Sequence, residues 1–364
     1  MGKTILFFSA GFAFNRLIRL RYYEKIFPKD TKIILCTTDK YGSKEEEAKK
    51  WALKRTKIIV LHYSPLKNLI EIRRLCKEFN VDILTNLGVP FGLYPLIFAN
   101  FFRNKKLLLY VLGDSIDYSK LDMLTKSGIK NLLSLIPYFI IEKFASKTAF
   151  VGRNSFNKAP LFFLSPKRKF FYLHAPVNTE IFKPVKKEIA RKSLNITPNQ
   201  KLIVYVGRIT KRKGCILLRE VIKSNPEIKF ILIGKWLENE IPKFEFKNME
   251  VIEKVDNKDL SKYYSAADLV FGYHRQGCQM GIVGEESLAC GTPIIHTKRV
   301  CAPDKQFIIK VKDSVEDIKN KINDFFKLSK TDRIALSKES REFAITNLSD
   351  EVWKEKYIDF YLAD

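Results

Sequence analysis

A chain of 364 residues is long for one domain and sufficient for two, each with its own core. With 46% hydrophobic and 29% charged residues, 28 Phe and 15 Tyr, it is not a predominantly disordered protein. The 65 Lys and Arg against 40 Asp and Glu give a formal net charge of +25, a field that attracts polyanions: nucleotides, phospholipid headgroups or nucleic acid.

From the N-terminus, Met1-Gly2-Lys3 precedes TILFFSAGFAF, which has the look of a short signal peptide without a cleavage site. A buried strand over 4–9, a glycine turn and a basic amphipathic helix beginning at NRLIRLRYY fit it better. Position 6 is Leu, which breaks the myristoylation pattern. Further strands are predicted at 32–37, 57–61, 82–86, 106–112, 148–152 and 169–173, with helices over 43–56 and 65–79 between them. Strands apolar on both faces and separated by helices imply a parallel sheet covered on both sides. The texture changes over 175–198, where three prolines interrupt the pattern and mark a domain boundary. Alternation restarts with strands at 201–207, 229–234, 249–253, 268–273 and 292–297; from Ser314 onward no strand is expected, and EVWKEKYIDFYL reads as the last helix.

The expected fold class is therefore α/β: two Rossmann-like, doubly wound parallel-sheet domains, 1–178 and 179–346, followed by a helix over 347–364. No segment reaches the roughly 18 apolar residues that a bilayer span requires. Six cysteines, none in a C-x-x-C pair, read as reduced thiols of a cytoplasmic protein. The four histidines, at 62, 174, 274 and 296, are too dispersed for a metal site, and no metal or other cofactor is expected.

Open parallel sheets bind ligands at the carboxyl ends of their strands, so chemistry is sought in the strand-to-helix turns. In VGRITKRKG, 206–214, a strand ends at Gly207 and a helix begins near Gly214, so Arg208 and Lys213 leave one turn. A guanidinium that binds oxygens in pairs and an ammonium point charge suit a diphosphate; a solvated basic loop is the alternative. In CQMGIVGEESLACGTPII, 278–295, Glu285 and Glu286 are expected to open a short helix ending at Gly291. Such a carboxylate is either a stabilising charge at a helix N-terminus or an acceptor for vicinal ribose hydroxyls. Gly277, Gly281 and Gly284 would allow backbone amides to approach a ligand. SAGFAFNR offers only Gly11, and with no G-x-G-x-x-G or P-loop the usual dinucleotide modes are disfavoured.

In this order these pieces resemble the retaining GT-B glycosyltransferases of family 4, the glycosyl transferases group 1. HAPVNTEIFKP at 174–184 resembles the family's hinge segment. VGRITKRKG matches its Gly-Arg-x-x-x-x-Lys-Gly turn residue for residue. SAADLVFGY followed by GEESLACGTPII resembles its Ala-Asp strand and Glu-Ala-Met-Ala-Cys-Gly-x-Pro helix. The resemblance implies two domains facing a central cleft, the C-terminal helix over 347–364 packing back on the first domain, and a donor held by the second. Arg208 and Lys213, beside Gly207, would bind the diphosphate, and Glu286 the ribose. Gly281, Ile282 and Val283 would offer amides to the donor, and Gly11 would lie near the phosphates. His274, in the loop leading to this donor motif, either touches sugar or phosphate or is a satisfied structural histidine. Two positions depart from the family. Cys278 stands where the first of its paired glutamates is expected. Gly113 or Asp114 falls where many members carry a histidine, and Asp114 would touch a sugar hydroxyl in its place or cap a turn.

The expected reaction is metal-independent transfer of a sugar from a nucleotide sugar, a UDP- or GDP-sugar, to a glycan or polyprenyl-lipid-linked acceptor; the absence of a D-x-D motif agrees with this. Cys278 keeps open a non-catalytic nucleotide-sugar or glycan-binding protein of the same fold. Three apolar-basic stretches, 91–106, 126–144 and 160–171, suit either core helices or peripheral docking on an anionic membrane surface. Net charge alone suggests nucleic acid, but no groove-reading motif supports it, and none is expected as a partner.

Overall fold

The structure is a computed structural model and describes residues 2–9, 14–38, 53–61, 65–87, 96–97, 105–111, 136, 138–211, 213–273, 280–298 and 300–363. The chain divides into two compact units, Met1–His174 with Lys354–Asp364, and Ala175–Trp353. Each holds one sheet whose described strand pairs are all parallel.

The first unit contains β1 (Thr4–Ser9), α1 (Phe14–Ile26), β2 (Lys32–Thr38), β3 (Thr56–Leu61), α2 (Pro65–Glu78), β4 (Ile83–Asn86), β5 (Lys106–Val111), β6 (Lys147–Phe150), α3 (Arg153–Phe163) and β7 (Phe170–Tyr172). The sheet order is β3-β2-β1-β4-β5-β6-β7, so the chain reverses its winding direction between β1 and β4. All six residues of β1 are buried, as expected of a strand covered on both faces. The side chain of Asn86, at the end of β4, is also buried. It accepts from the Tyr110 N–H and donates to the Tyr110 carbonyl, both at 2.7 Å, which fastens β4 to β5 without leaving a polar group unpaired.

The helix expected over 43–56 lies largely outside the described residues, and its last residues are not helical. Lys54 and Arg55 instead give their backbone N–H groups to the Glu24 carboxylate, at 3.0 and 2.8 Å, before Thr56 opens β3. β6 stops at Phe150 rather than 152, because Gly152 caps α3.

The second unit contains α4 (Lys187–Ser193), β8 (Leu202–Val206), α5 (Cys215–Lys223), β9 (Lys229–Ile233), β10 (Met249–Ile252), α6 (Leu260–Ala266), β11 (Leu269–Phe271), α7 (Gly281–Ala289), β12 (Ile294–Thr297), β13 (Ile308–Val311), α8 (Val315–Lys327) and α9 (Lys330–Phe343). Its order is β10-β9-β8-β11-β12-β13. β13 was not expected from the sequence. It is a four-residue edge strand, half of it only partly buried, and its apolar signal is cut by Lys310.

After Ser314 the chain is helical, ending in α10 (Asp350–Leu362), which belongs to the first unit from Lys354 onward. Its inner face is aromatic: Tyr357, Phe360 and Tyr361 are buried. The Tyr357 hydroxyl donates to the His174 carbonyl at 2.8 Å and lies 3.1 Å from the Tyr110 hydroxyl; the Tyr361 hydroxyl lies 3.1 Å from that of Tyr23. Each buried phenol thereby finds a polar partner. Lys3 and Lys147 donate to the carbonyls of Leu362 and Ala363, at 2.6 and 2.9 Å, and Lys106 also reaches Ala363. These lysines satisfy the carbonyls that a helix C-terminus leaves open.

Candidate functional site

In an open parallel sheet the ligand crevice lies outside the strand carboxyl ends where the winding reverses. For the second sheet that point falls between β8 and β11. β8 runs into the turn 207–214 and β11 into the segment that leads to α7.

The turn is built for close approach. Gly207 has φ of 142° and gives its N–H to Ile233 at 2.8 Å; Gly234, at the end of β9, also has φ of 142°. A Cβ on Gly234 would sit 2.2 Å from the Gly207 carbonyl oxygen, so the two strand ends touch through backbone. Arg208 is fixed at its carbonyl by the Tyr205 hydroxyl, which donates at 2.7 Å and lies 3.4 Å from the Cys215 thiol. Burial pushes both the Tyr205 and Cys215 groups up, so both stay protonated donors. Ile209 is buried and bridges to Trp236. Thr210 accepts at its carbonyl from Lys213 and Cys215, which closes the turn.

Gly214 caps α5 at φ of 73°, and a Cβ there would lie 2.1 Å from the Tyr273 ring. Tyr273 stacks on Phe271, the last residue of β11. The turn carrying Arg208 and Lys213 is therefore pressed against the start of the β11–α7 connection.

A second link runs through His296 in β12. Its Nε2 donates to the carbonyl of Met280, the N-cap of α7, at 3.0 Å. Burial first, and then the Lys213 charge, lower the imidazole pKa to about 4, so the ring is neutral at pH 7. Lys213 is close enough to act on the ring that holds the α7 N-terminus. That terminus presents open N–H groups and partial positive charge.

α7 differs from the sequence expectation. It begins at Gly281, so Glu285 and Glu286 lie in its interior rather than opening it, and both are buried. A stabilising charge at the helix N-terminus is therefore not their role. Glu286 accepts from the Tyr264 hydroxyl on α6 at 2.8 Å. Burial is the main force on its carboxyl and raises it to about 8, against the opposing Tyr264 hydrogen bond. Along the helix axis Glu286 is about 7.5 Å below Gly281, at 1.5 Å per residue. Gly284 does not face a ligand: a Cβ on it would meet Met280 at 2.3 Å and Ile294 at 3.1 Å, so it serves close packing of α7 on β12. Ile282 is 43% exposed, and Val283 packs partly against the core. The far end of α7 is anchored by Arg341, which donates to the carbonyls of Ala289 at 2.7 Å and Phe182 at 2.9 Å.

The structure thus brings Gly207, Arg208, Lys213 and the α7 N-terminus at Gly281 to one sheet edge, with Glu286 deeper on the same helix. Gly11, Gly113, Asp114, His274, Gly277 and Cys278 lie outside the described residues. Sequence reasoning missed Tyr205, Tyr264, Tyr273 and His296. For His296 a signal existed, since it sits near the carboxyl end of a strand; Tyr264 and Tyr273 act through contacts distant in the chain that spacing does not reveal, while Tyr205 acts on Arg208 only three residues away. Among the described residues no cluster of three His, Cys, Asp or Glu side chains is arranged to hold a metal.

Residues 186–343 match the family model for glycosyl transferases group 1. The chain is 29% identical over 136 residues to D-inositol 3-phosphate glycosyltransferase of Segniliparus rotundus, covering 34% of this chain and 30% of that protein. It is 32% identical over 112 residues to the processive diacylglycerol alpha-glucosyltransferase of Acholeplasma laidlawii, covering 29% of this chain and 33% of that protein. The match therefore spans about a third of the length of these curated relatives.

The fold likeness extends over the whole chain. The crystal structure of a glycosyltransferase from Rickettsia africae superposes with a TM-score of 0.78 at 18% identity, covering 99% of this chain and 98% of that one. An Anabaena protein, Alr3699/HepE, solved with UDP and glucose, gives 0.75 at 14% identity, with 98% of each chain covered. The architecture is GT-B, and residues 186–343, within the second unit, match the model for glycosyl transferases group 1.

Proposed function

We propose that this protein transfers a sugar from a UDP- or GDP-sugar to an acceptor hydroxyl on a glycan or lipid-linked molecule, with retention of configuration and without a metal ion. The observation that carries this reading is the convergence of Arg208, Lys213 and the α7 N-terminus where the second sheet reverses its winding. The relatives named as glycosyltransferases, and the Anabaena structure holding UDP and glucose, support the donor class.

In such a transfer the bond between the anomeric carbon and the diphosphate oxygen breaks, and its electron pair leaves with the nucleoside diphosphate. The acceptor oxygen bonds to the same face of the anomeric carbon, and its proton passes to a phosphate oxygen of the leaving group. Negative charge grows on the diphosphate as the bond stretches. Cations and helix N–H groups fixed there beforehand lower the barrier, typically by about 3 kcal/mol per donor. Arg208 and Lys213 take the diphosphate oxygens, and the amides of Gly281, Ile282 and Val283 supply a second set of donors. Glu286, held at one oxygen by Tyr264, takes the ribose hydroxyls. From sequence, Gly11 is assigned to the phosphates, and His274, Cys278 and Asp114 to the sugar end of the donor.

Cys278, standing in place of an acid, favours a second reading in which the donor binds and no transfer follows. Incubation with UDP-, GDP- and ADP-sugars, followed by proton NMR of any product, separates the two. The proposal expects one donor class to be consumed and the product to keep the donor's anomeric configuration. An inverted product rejects retention, and binding without consumption supports the second reading.

A further inference from the structure

Parts of two apolar-basic stretches, 138–144 from 126–144 and the whole of 160–171, meet in the first unit. Lys143 donates to the Phe163 and Leu164 carbonyls at 2.5 and 3.3 Å, and the Phe139 ring lies 6.4 Å from that of Phe162. Their inner faces belong to the core, with Ile141 and Phe163 buried.

Their outer faces are different. Ile140 and Phe144, one helical turn apart, are 44% and 52% exposed; Leu161 and Leu164, at the end of α3, are 81% and 74% exposed. Leu164 also has φ of 49° and ψ of 46°, the left-handed position where helix C-termini favour Gly or Asn. A leucine there is strained in backbone and exposed in side chain, so neither folding nor solubility accounts for it.

The surrounding charge is one-sided. Residues 136–170 contain seven Lys or Arg and one acid, Glu142. That acid is fully buried and paired with Lys169 at 2.9 Å, while Lys158, Lys167 and Arg168 are exposed beside the leucines.

We infer that this face, built from Ile140, Phe144, Leu161 and Leu164 with its ring of basic residues, docks on an anionic lipid bilayer. The apolar side chains enter the headgroup boundary, and the lysines and Arg168 meet the lipid phosphates. Segment 138–144 and α3 both end just before their strands begin, so the face lies at the edge of the first sheet where β6 and β7 start. The carboxyl ends of β6 and β7, where a ligand of this fold would bind, lie at the opposite ends of these strands. The inference therefore stands apart from the transfer chemistry.

The test is flotation of the full chain with vesicles of phosphatidylcholine containing phosphatidylglycerol, and with phosphatidylcholine alone. The wild type should float with the anionic vesicles at low salt and lose that association in the neutral ones. Leu161→Ser with Leu164→Asn should lower partitioning by at least about tenfold, since two leucines contribute most of the buried area. Asn suits the left-handed position, so thermal stability should hold. Lys167→Glu with Arg168→Glu should lower partitioning similarly and leave nucleoside diphosphate affinity unchanged. A wild type that stays unbound at low salt overturns the inference, as do variants that float like the wild type. So does an apolar variant that changes only the oligomeric state, which would make the face a contact between protein copies.

Discussion

At the scale of single residues, burial decides the state of the groups that matter. Glu286 has Tyr264 as a hydrogen-bond donor, yet its environment is so poorly solvated that its carboxyl titrates only at about 8. Near neutral pH it is a carboxylic acid, able both to donate to and to accept from a sugar hydroxyl. The unfolded chain ionises this group above 4.5, whereas the folded chain keeps its proton up to about 8. Its contribution to stability is therefore full below 4.5 and declines as pH rises through about 8, by on the order of a few kcal/mol. Chemical unfolding of the wild type and Glu286→Gln across pH 4 to 9 should show the wild type losing stability relative to the variant over that window. Parallel profiles would mean that Glu286 is ionised in the folded protein. His296 runs the opposite way: its folded pKa of about 4 lies below the ordinary 6.5, so its contribution is present above 6.5 and lost as pH falls through 4.

At the scale of elements, the turn 207–214 owes its shape to a glycine that no other residue replaces. Gly214 combines φ of 73° with a ring carbon of Tyr273 2.1 Å from where a Cβ would stand. Gly214→Ala should lower stability by about 1–3 kcal/mol and displace the turn that carries Arg208 and Lys213. Thermal unfolding checks the first effect and nucleoside diphosphate affinity the second; an unchanged melting temperature would show that Tyr273 moves aside without cost. The spacing of strand, Gly-Arg, Lys-Gly and helix made this turn legible in the sequence, because those residues are neighbours in the chain, whereas the Tyr273 ring that presses on Gly214 comes from far along it. α7 was legible in position but not in extent. Met280 and Gly281 look like loop residues until His296, sixteen positions away from Met280, is seen to hold the Met280 carbonyl. β13 was missed for a related reason: Ile308–Val311 is a strand because β12 lies beside it, with pairs from Ile294–Ile308 to Thr297–Val311, and not because of its own short pattern. The burial of Glu285 and Glu286 followed from that same longer α7, and charge alone had suggested a helix opening.

At the scale of the molecule, both units use the same device, a parallel sheet whose first strand stands at the reversal of winding, β1 in one and β8 in the other. That repetition was readable from the two series of apolar strands. The return of α10 to the first unit rests on aromatic packing of Tyr357, Phe360 and Tyr361 that no periodicity specifies. The net charge of +25 sets a background field favourable to phosphates, but a field does not choose a site. Choice comes from fixed donors, which we propose to be Arg208, Lys213 and the α7 N-terminus. The most direct measurement is isothermal titration of the full chain with UDP and with GDP, in the wild type, Arg208→Ala and Lys213→Ala. One of the two nucleotides should bind the wild type, and each substitution should weaken that binding by at least about tenfold, since a charge-assisted hydrogen bond contributes about 1.5–3 kcal/mol. Wild-type affinity retained in both variants would contradict it.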